Sequence, residues 1–155
     1  MGDKKEFGFT CPGYATRRAS RAVTSYFNLA LKKYDLSLPQ FGLLAAIDTR
    51  PGQSISAISE LLTLDDSTLT RNLNLLEKRG LVESLGGRGR AGKQVTLTKE
   101  GHDLASKADV EWAKAGAEIR ARMGDEKVDQ GIAFLRELEA ITLEATCELH
   151  KKLEQ

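Results

Sequence analysis

The sequence predicts a mainly α-helical protein with one small β-hairpin, arranged as a winged helix-turn-helix with dimerisation helices at its N- and C-terminal ends. Two observations predict this class. Apolar residues recur every three or four positions over most of the 155 residues, which is the period of amphipathic helices. Between Leu81 and Leu97 the period changes to two, and two strand-like segments enclose a stretch of glycines and cations.

The first two helices have clear start signals. Pro12 suits the first turn of a helix, and apolar residues then recur at helical spacing for about 20 residues, up to Tyr34. Ser37 and Gln40 have the spacing of a capping box. We therefore expect a second helix from this point, ending before the turn at residues 50–52.

Two further helices follow closely. A short one contains Ile55 and Leu62, and after a tight turn Asp65 is a good N-cap for a helix that ends at Gly80. The buried face of this fourth helix is predicted to be Leu69, Leu73 and Leu76. A tight turn followed by a helix with a polar outer face is typical of a helix-turn-helix.

The outer face of the fourth helix is the candidate recognition surface. Its short polar and basic side chains are Ser67, Thr68, Thr70, Arg71 and Asn74. Arg71 and Asn74 are the best candidates for base contacts, since they can make paired hydrogen bonds to guanine and adenine. Arg88, Arg90 and Lys93 lie in or beside the glycine-rich hairpin tip and are expected to contact the DNA backbone or minor groove.

Two long helices complete the chain. Thr98 is expected to cap the first of them, whose predicted buried face includes Trp112, and Gly124-Asp125 breaks it. The last helix carries a long apolar stripe: Val128, Ile132, Leu135, Leu138, Ile141, Ala145 and Leu149. We expect three regions: 1–36 for dimerisation and effector contacts, 37–99 for DNA binding, and 100–155 for dimerisation.

Charge is distributed unevenly along the chain. The 23 basic and 22 acidic residues give a net charge of +1, which argues against a nucleic-acid partner when taken alone. Residues 1–24 and 63–99 each carry +3, whereas residues 100–155 carry −5. The basic middle indicates a DNA-binding face, and the acidic C-terminal part is expected to lie away from the duplex.

Several classes of protein are disfavoured. The longest stretch without Asp, Glu, Lys or Arg runs from Leu36 to Ile47, only 12 residues, so we expect no membrane span and a cytoplasmic location. There is no pattern of a catalytic triad, a phosphate-binding loop or a metal site. We expect no cofactor, no metal and no enzyme activity.

The sequence resembles the multiple antibiotic resistance regulator (MarR) family of bacterial transcription factors. The resemblance is carried by Leu38-Pro39-Gln40-Phe41, by residues 66–82 and by Val95-Thr96-Leu97-Thr98-Lys99-Glu100-Gly101. It implies a homodimer whose first and last helices interlock. It also implies binding to a pseudo-palindromic operator on double-stranded DNA, with release by a small effector or by oxidation.

Two kinds of release signal are possible for such a repressor. The first, which the resemblance implies, is a small aromatic or phenolic effector, for which the candidate contacts are Tyr14, Arg17, Arg18, Arg21, Tyr26 and Phe27. The second is oxidation, because Cys11 is a thiol at a helix N-terminus and Cys147 could be its partner. The alternatives for both sets are that the arginines are solvated, the aromatics are core residues and the thiols are inert.

Two other functions compete with a dimeric repressor. The winged helix could bind protein without DNA, but then the recognition face should be apolar, and it is not. A thiol enzyme using Cys11 would need a base nearby, and no His or Asn motif supplies one.

Overall fold

A computed structural model describes residues 11–62, 65–86 and 92–154, and it confirms the predicted fold class. The elements, in chain order, are α1 (Pro12–Leu31), a short 3-10 helix (Lys32–Tyr34), α2 (Leu38–Thr49), α3 (Ile55–Leu62), α4 (Asp66–Lys78), β1 (Val82–Gly86), β2 (Lys93–Leu97), α5 (Lys99–Met123) and α6 (Asp125–Leu153). The chain divides into two compact units, Met1–Ala115 and Gly116–Gln155. No helix in the described ranges is long and apolar enough to cross a membrane.

The start of α2 has the predicted capping box. The Ser37 hydroxyl accepts a hydrogen bond from the Gln40 backbone, and the Gln40 side chain accepts one from the Ser37 backbone. Asn28 of α1 also accepts a hydrogen bond from the Leu38 backbone at 2.6 Å. With Pro39 lacking an N–H, the amide groups of this helix start are nearly all satisfied.

The first helix ends earlier than its apolar pattern predicts. α1 stops at Leu31, and a 3-10 turn carries the chain through Tyr34 to Asp35. Asp35 adopts a left-handed conformation with φ of 52°, which ends the helical run and redirects the chain toward α2. Leu31 is the one described α1 residue that is fully buried.

The first unit has one apolar core. It joins α2, α3 and α4 to the hairpin, and its largest fully buried side chains are Leu31, Leu43, Leu44, Ile47, Ile58, Leu69, Leu76 and Val95. Close packing of this core fixes α4 on its predicted apolar face, because Leu69, Leu73 and Leu76 are all buried.

The hairpin is an antiparallel pair whose register places Val82 opposite Leu97 and Gly86 opposite Lys93. The loop before α3 also lies along β2: Gly52 N donates to Val95 O, and Val95 N donates to Gln53 O, both at 3.2 Å. Backbone hydrogen bonds therefore attach the base of the hairpin to the start of α3.

Trp112 is not part of the buried face on which it was predicted. The residue is 42% exposed, although its ring lies 5.8 Å from Phe41 and 6.4 Å from Phe27 between centroids. Ala105, Ala108 and Ala115 form the buried side of α5 in its place. Small alanines allow α5 to approach the core closely, and the indole then extends past the edge of the contact.

The second unit contains the end of α5 and the whole of α6. Gly124 separates the two helices with φ of 87°, and Arg120 bonds to Asp125 at 3.2 Å and to Asp129 at 2.9 Å across this break. The predicted stripe on α6 is largely exposed in the single chain, and only Val128 and Leu138 are half-buried.

Candidate nucleic-acid interface

The start of α4 is fixed by Asp65, the predicted N-cap. Its Oδ1 accepts hydrogen bonds from the backbone of Ser67 at 3.1 Å and of Thr68 at 2.8 Å, and from Ser67 Oγ at 2.6 Å. The Ser67 and then the Thr68 hydrogen bonds hold the pKa of Asp65 well below its usual range. The cap is therefore an anion at neutral pH, and it orders the turn that begins the polar face.

The five residues predicted to read DNA lie together on α4. Ser67, Thr70, Arg71 and Asn74 are exposed, whereas Thr68 is half-buried beside the cap. Since Leu69 and Leu73 anchor the opposite side in the core, the exposed side chains form one continuous polar face. The proton of the Ser67 hydroxyl already points to Asp65, so Ser67 Oγ is left as an acceptor.

Of the three predicted wing cations, only Lys93 belongs to the described residues. It begins β2, and its Nζ lies 3.4 Å from Oε1 of Glu77 on α4. The same carboxylate oxygen accepts a hydrogen bond from Ser84 Oγ on β1. Arg88 and Arg90 lie outside the described residues.

These features match known transcription regulators. A family model described as MarR family matches residues 34–91, a range that includes α2, α3, α4 and β1. The chain is 33% identical to MosR of M. tuberculosis, solved in complex with DNA. This likeness covers 84% of the chain and 98% of MosR, with a TM-score of 0.72. The chain belongs to the MarR family. Members of this family are transcription regulators and not enzymes.

Two curated relatives are also similar to this MarR-family chain. The regulator SarZ of Staphylococcus haemolyticus is 32% identical over 86 residues, which cover 55% of the chain and 58% of SarZ, little more than half of that relative's length. The homoprotocatechuate degradative operon repressor of Escherichia coli is 27% identical over 128 residues, covering 82% of the chain and 86% of the repressor.

The MarR-family winged module is held in place by side-chain hydrogen bonds that the sequence did not predict. Arg79, just after α4, donates to the backbone oxygens of Asp35 at 2.6 Å and Tyr34 at 3.0 Å. Thr98 Oγ1 donates to Gly80 O at 2.7 Å. These contacts attach the C-terminal end of α4 to the turn after α1 and to the start of α5. Arg79 and its acceptors are 44 and 45 residues apart, so no local pattern signals the pairing.

The candidate effector residues fall into two groups in the first unit. Tyr14, Arg17, Arg18 and Arg21 are exposed along the start of α1. Tyr26 and Phe27, near its end, are half-buried and stack edge-on at 5.7 Å. Phe27 also faces Trp112, so the structure assembles an aromatic cluster of Tyr26, Phe27, Phe41 and Trp112, two of which had not been predicted as effector contacts.

The two cysteines lie in different units. Cys11 is half-buried at the N-cap position of α1, and Cys147 is exposed on α6. Redox sensing by this pair stays a prediction. Within the described ranges, no three His, Cys, Asp or Glu side chains come together as a candidate metal site.

Proposed function

We propose that this chain is a sequence-specific DNA-binding repressor that acts as a homodimer on a pseudo-palindromic operator. The observation that carries the proposal is the exposed polar face of α4, held by the Asp65 cap on one end and by buried leucines behind it. A helix presented in this way can enter the major groove with its N-terminal residues toward the bases. MosR, a structural relative above 30% identity, was solved with DNA.

The proposed division of work follows the three predicted regions. In residues 37–99, Arg71 and Asn74 read bases, and Ser67, Thr68 and Thr70 support them with shorter contacts. Arg88 and Arg90 in the wing contact phosphates or the minor groove. Residues 1–36 and 100–155 form the dimer, so that two copies of α4 reach successive turns of one duplex.

The decisive experiment is selection of bound sequences from random duplexes by the purified protein. We expect a palindromic consensus, and we expect Arg71→Ala to relax selection at one base position in each half-site at a cost of about 1–3 kcal/mol. Arg50→Ala is the matched control, since Arg50 is an exposed arginine at the C-cap of α2. Enrichment of no sequence by the wild-type protein would favour the protein-interaction alternative.

For the release signal, we propose a small aromatic or phenolic ligand bound at the aromatic cluster. The support is the exposed Trp112 beside Phe27, with the arginines predicted to contact an acidic effector, Arg17, Arg18 and Arg21, earlier on α1. The E. coli relative is named as the repressor of a homoprotocatechuate degradative operon, and homoprotocatechuate is an aromatic acid. Aromatic rings stack favourably in offset or edge-on arrangements.

Fluorescence provides a direct test, because Trp112 is the single tryptophan of the chain. Titration with a set of hydroxylated aromatic acids should quench its emission in a saturable way, and the ligand that does so should weaken operator binding. Phe27→Leu should reduce ligand affinity, whereas Phe134→Leu, an exposed ring on α6, should not. Operator release by peroxide that is abolished in Cys11→Ser would instead support the redox alternative.

A further inference from the structure

A single side chain connects α4 to both strands of the hairpin. Glu77 Oε1 accepts hydrogen bonds from Ser84 Oγ on β1 and from Lys93 Nζ on β2. Ser84 pairs with Val95 and Lys93 pairs with Gly86, so the two donors come from different strands and lie two positions apart along the ladder. We call Glu77, Ser84 and Lys93 the wing brace.

The position of Glu77 on α4 connects this brace to the proposed DNA-reading face. Glu77 lies three residues after Asn74 and seven after Thr70, so the three side chains share one side of the helix. Leu73 and Leu76 beside it are buried. The helix that would enter the groove is therefore joined to the hairpin at the edge of its polar face.

Burial and charge determine what Lys93 can do. The Glu77 side chain is 27% exposed and that of Lys93 is 42% exposed, so the pair is partly removed from solvent. A carboxylate at 3.4 Å compensates the ammonium charge, and a lysine held in this way is less available to a DNA phosphate.

From these contacts we propose that Glu77 is a positioning residue, which sets the hairpin against α4 and keeps Lys93 off the phosphates of bound DNA. The inference deepens the proposed DNA-binding function and rests on it. It changes the role expected of Lys93 from a phosphate contact to an internal support.

The first test needs no DNA and measures hydrogen exchange of β1 and β2 amides in the free protein. Glu77→Ala removes both acceptor contacts, so exchange in Val82–Gly86 and Lys93–Leu97 should rise about tenfold. Rates are divided by those of α2 amides to remove any loss of global stability. The matched control is Glu83→Ala, an exposed glutamate on β1, which should change the ratio by less than about twofold. Equal ratios in the two variants would overturn the brace.

The second test determines whether Lys93 contacts a DNA phosphate, by measuring operator affinity as a function of salt concentration. Each phosphate contact adds about 0.9 to the slope of log affinity against log salt. Lys93→Met should leave the slope of the wild-type protein unchanged. Glu77→Gln should free Lys93 and raise the slope by about 0.9, and adding Lys93→Met should remove that increase. Glu83→Gln controls for the loss of one negative charge near the duplex.

The two measurements separate the two proposals. A slope that falls by about 0.9 in Lys93→Met alone would show that Lys93 already contacts phosphate, and would overturn its assignment to the brace. If the wild-type protein bound no duplex, the DNA-binding function would fail, and the exchange ratios would still decide whether Glu77 holds the hairpin.

Discussion

At the scale of single residues, Asp65 makes the order of the proposed reading face dependent on pH. Its pKa is lower in the folded protein than in the unfolded chain, because the Ser67 and Thr68 hydrogen bonds favour the carboxylate. A group with a lowered folded pKa stabilises the fold fully above its unfolded pKa of about 4, and that contribution disappears as pH falls through the folded value.

Asp65→Ala should therefore lower the thermal midpoint most at neutral pH. The gap between wild type and Asp65→Ala is expected to narrow progressively below about pH 4. Asp65→Asn should lose less, since asparagine is also a good N-cap. Neither variant titrates at this position, so the gap between the two should not vary with pH. Calorimetry from pH 7 to pH 2 checks this. A difference in thermal midpoint between wild type and Asp65→Ala that stays constant over this range would contradict it.

Gly101, near the start of α5, allows the backbone of this helix to pack closely against the backbone of Leu81. A Cβ added there would lie 1.9 Å from Leu81 O, which also accepts a hydrogen bond from Thr98 N at 3.1 Å. Gly101→Ala must move α5 away from the end of α4, and we expect a loss of unfolding free energy of about 1–3 kcal/mol. Urea denaturation measures this loss.

Gly116 is the matched control for Gly101, because it lies in the same helix. Apart from the backbone of its own helix and its chain neighbours, no described atom is within 4 Å of a Cβ placed on Gly116. Gly116→Ala should therefore show only the gain in helix propensity, a stabilisation of up to about 1 kcal/mol. Equal effects of the two substitutions would mean that the contact with Leu81 O does not constrain α5.

At the scale of elements, two arginines of the α4 region should have opposite roles. Arg79 donates from both terminal nitrogens of its guanidinium group to carbonyls of the turn after α1, whereas Arg71 lies on the reading face. Arg79→Lys loses the fork geometry and should lower the free energy of unfolding by about 1 kcal/mol. Arg71→Lys should change stability by less than about 0.5 kcal/mol but weaken operator binding. Urea titration and DNA-binding measurements on both variants check this. A larger loss of stability in Arg71→Lys than in Arg79→Lys would contradict it.

Elements could be predicted from the sequence wherever their signals are local. The Ser37–Gln40 capping box, the Asp65 cap and Gly80, with φ of 68°, each act within four residues, and the structure has helix ends at these points. The polar face of α4 was also predictable, because it is the complement of Leu69, Leu73 and Leu76. Contacts between elements were not predictable. The helix packing determines the hydrogen bonds of Glu77 to the hairpin, those of Arg79 to the turn after α1, and the exposure of Trp112. A periodic pattern of apolar residues does not specify that packing.

At the scale of the whole molecule, the net charge of +1 hides opposite contributions from different parts of the chain. Residues 63–99, which contain α4 and the hairpin, carry +3, and residues 100–155 carry −5. A dimer of this chain would double both values. We expect non-specific DNA binding to be weak at physiological salt, because the basic and acidic charges of the chain nearly cancel and Lys93 is paired with Glu77.

The apolar stripe of α6 leads to a prediction about assembly. Ile132, Leu135 and Leu149 are 40–58% exposed in the single chain, and an apolar surface of this length is typical of a contact with another protein. If a second copy covers it, Leu135→Glu should shift the sedimenting mass at micromolar concentration from two chains to one. It should also weaken operator binding, because two linked copies of α4 bind one duplex more tightly than separate copies.

Ala133→Glu adds the same charge two residues away, on the opposite side of the helix, and should leave the dimer intact. A wild-type protein that sediments as a single chain would contradict the dimer, and equal effects of the two glutamates would assign the interface to another surface.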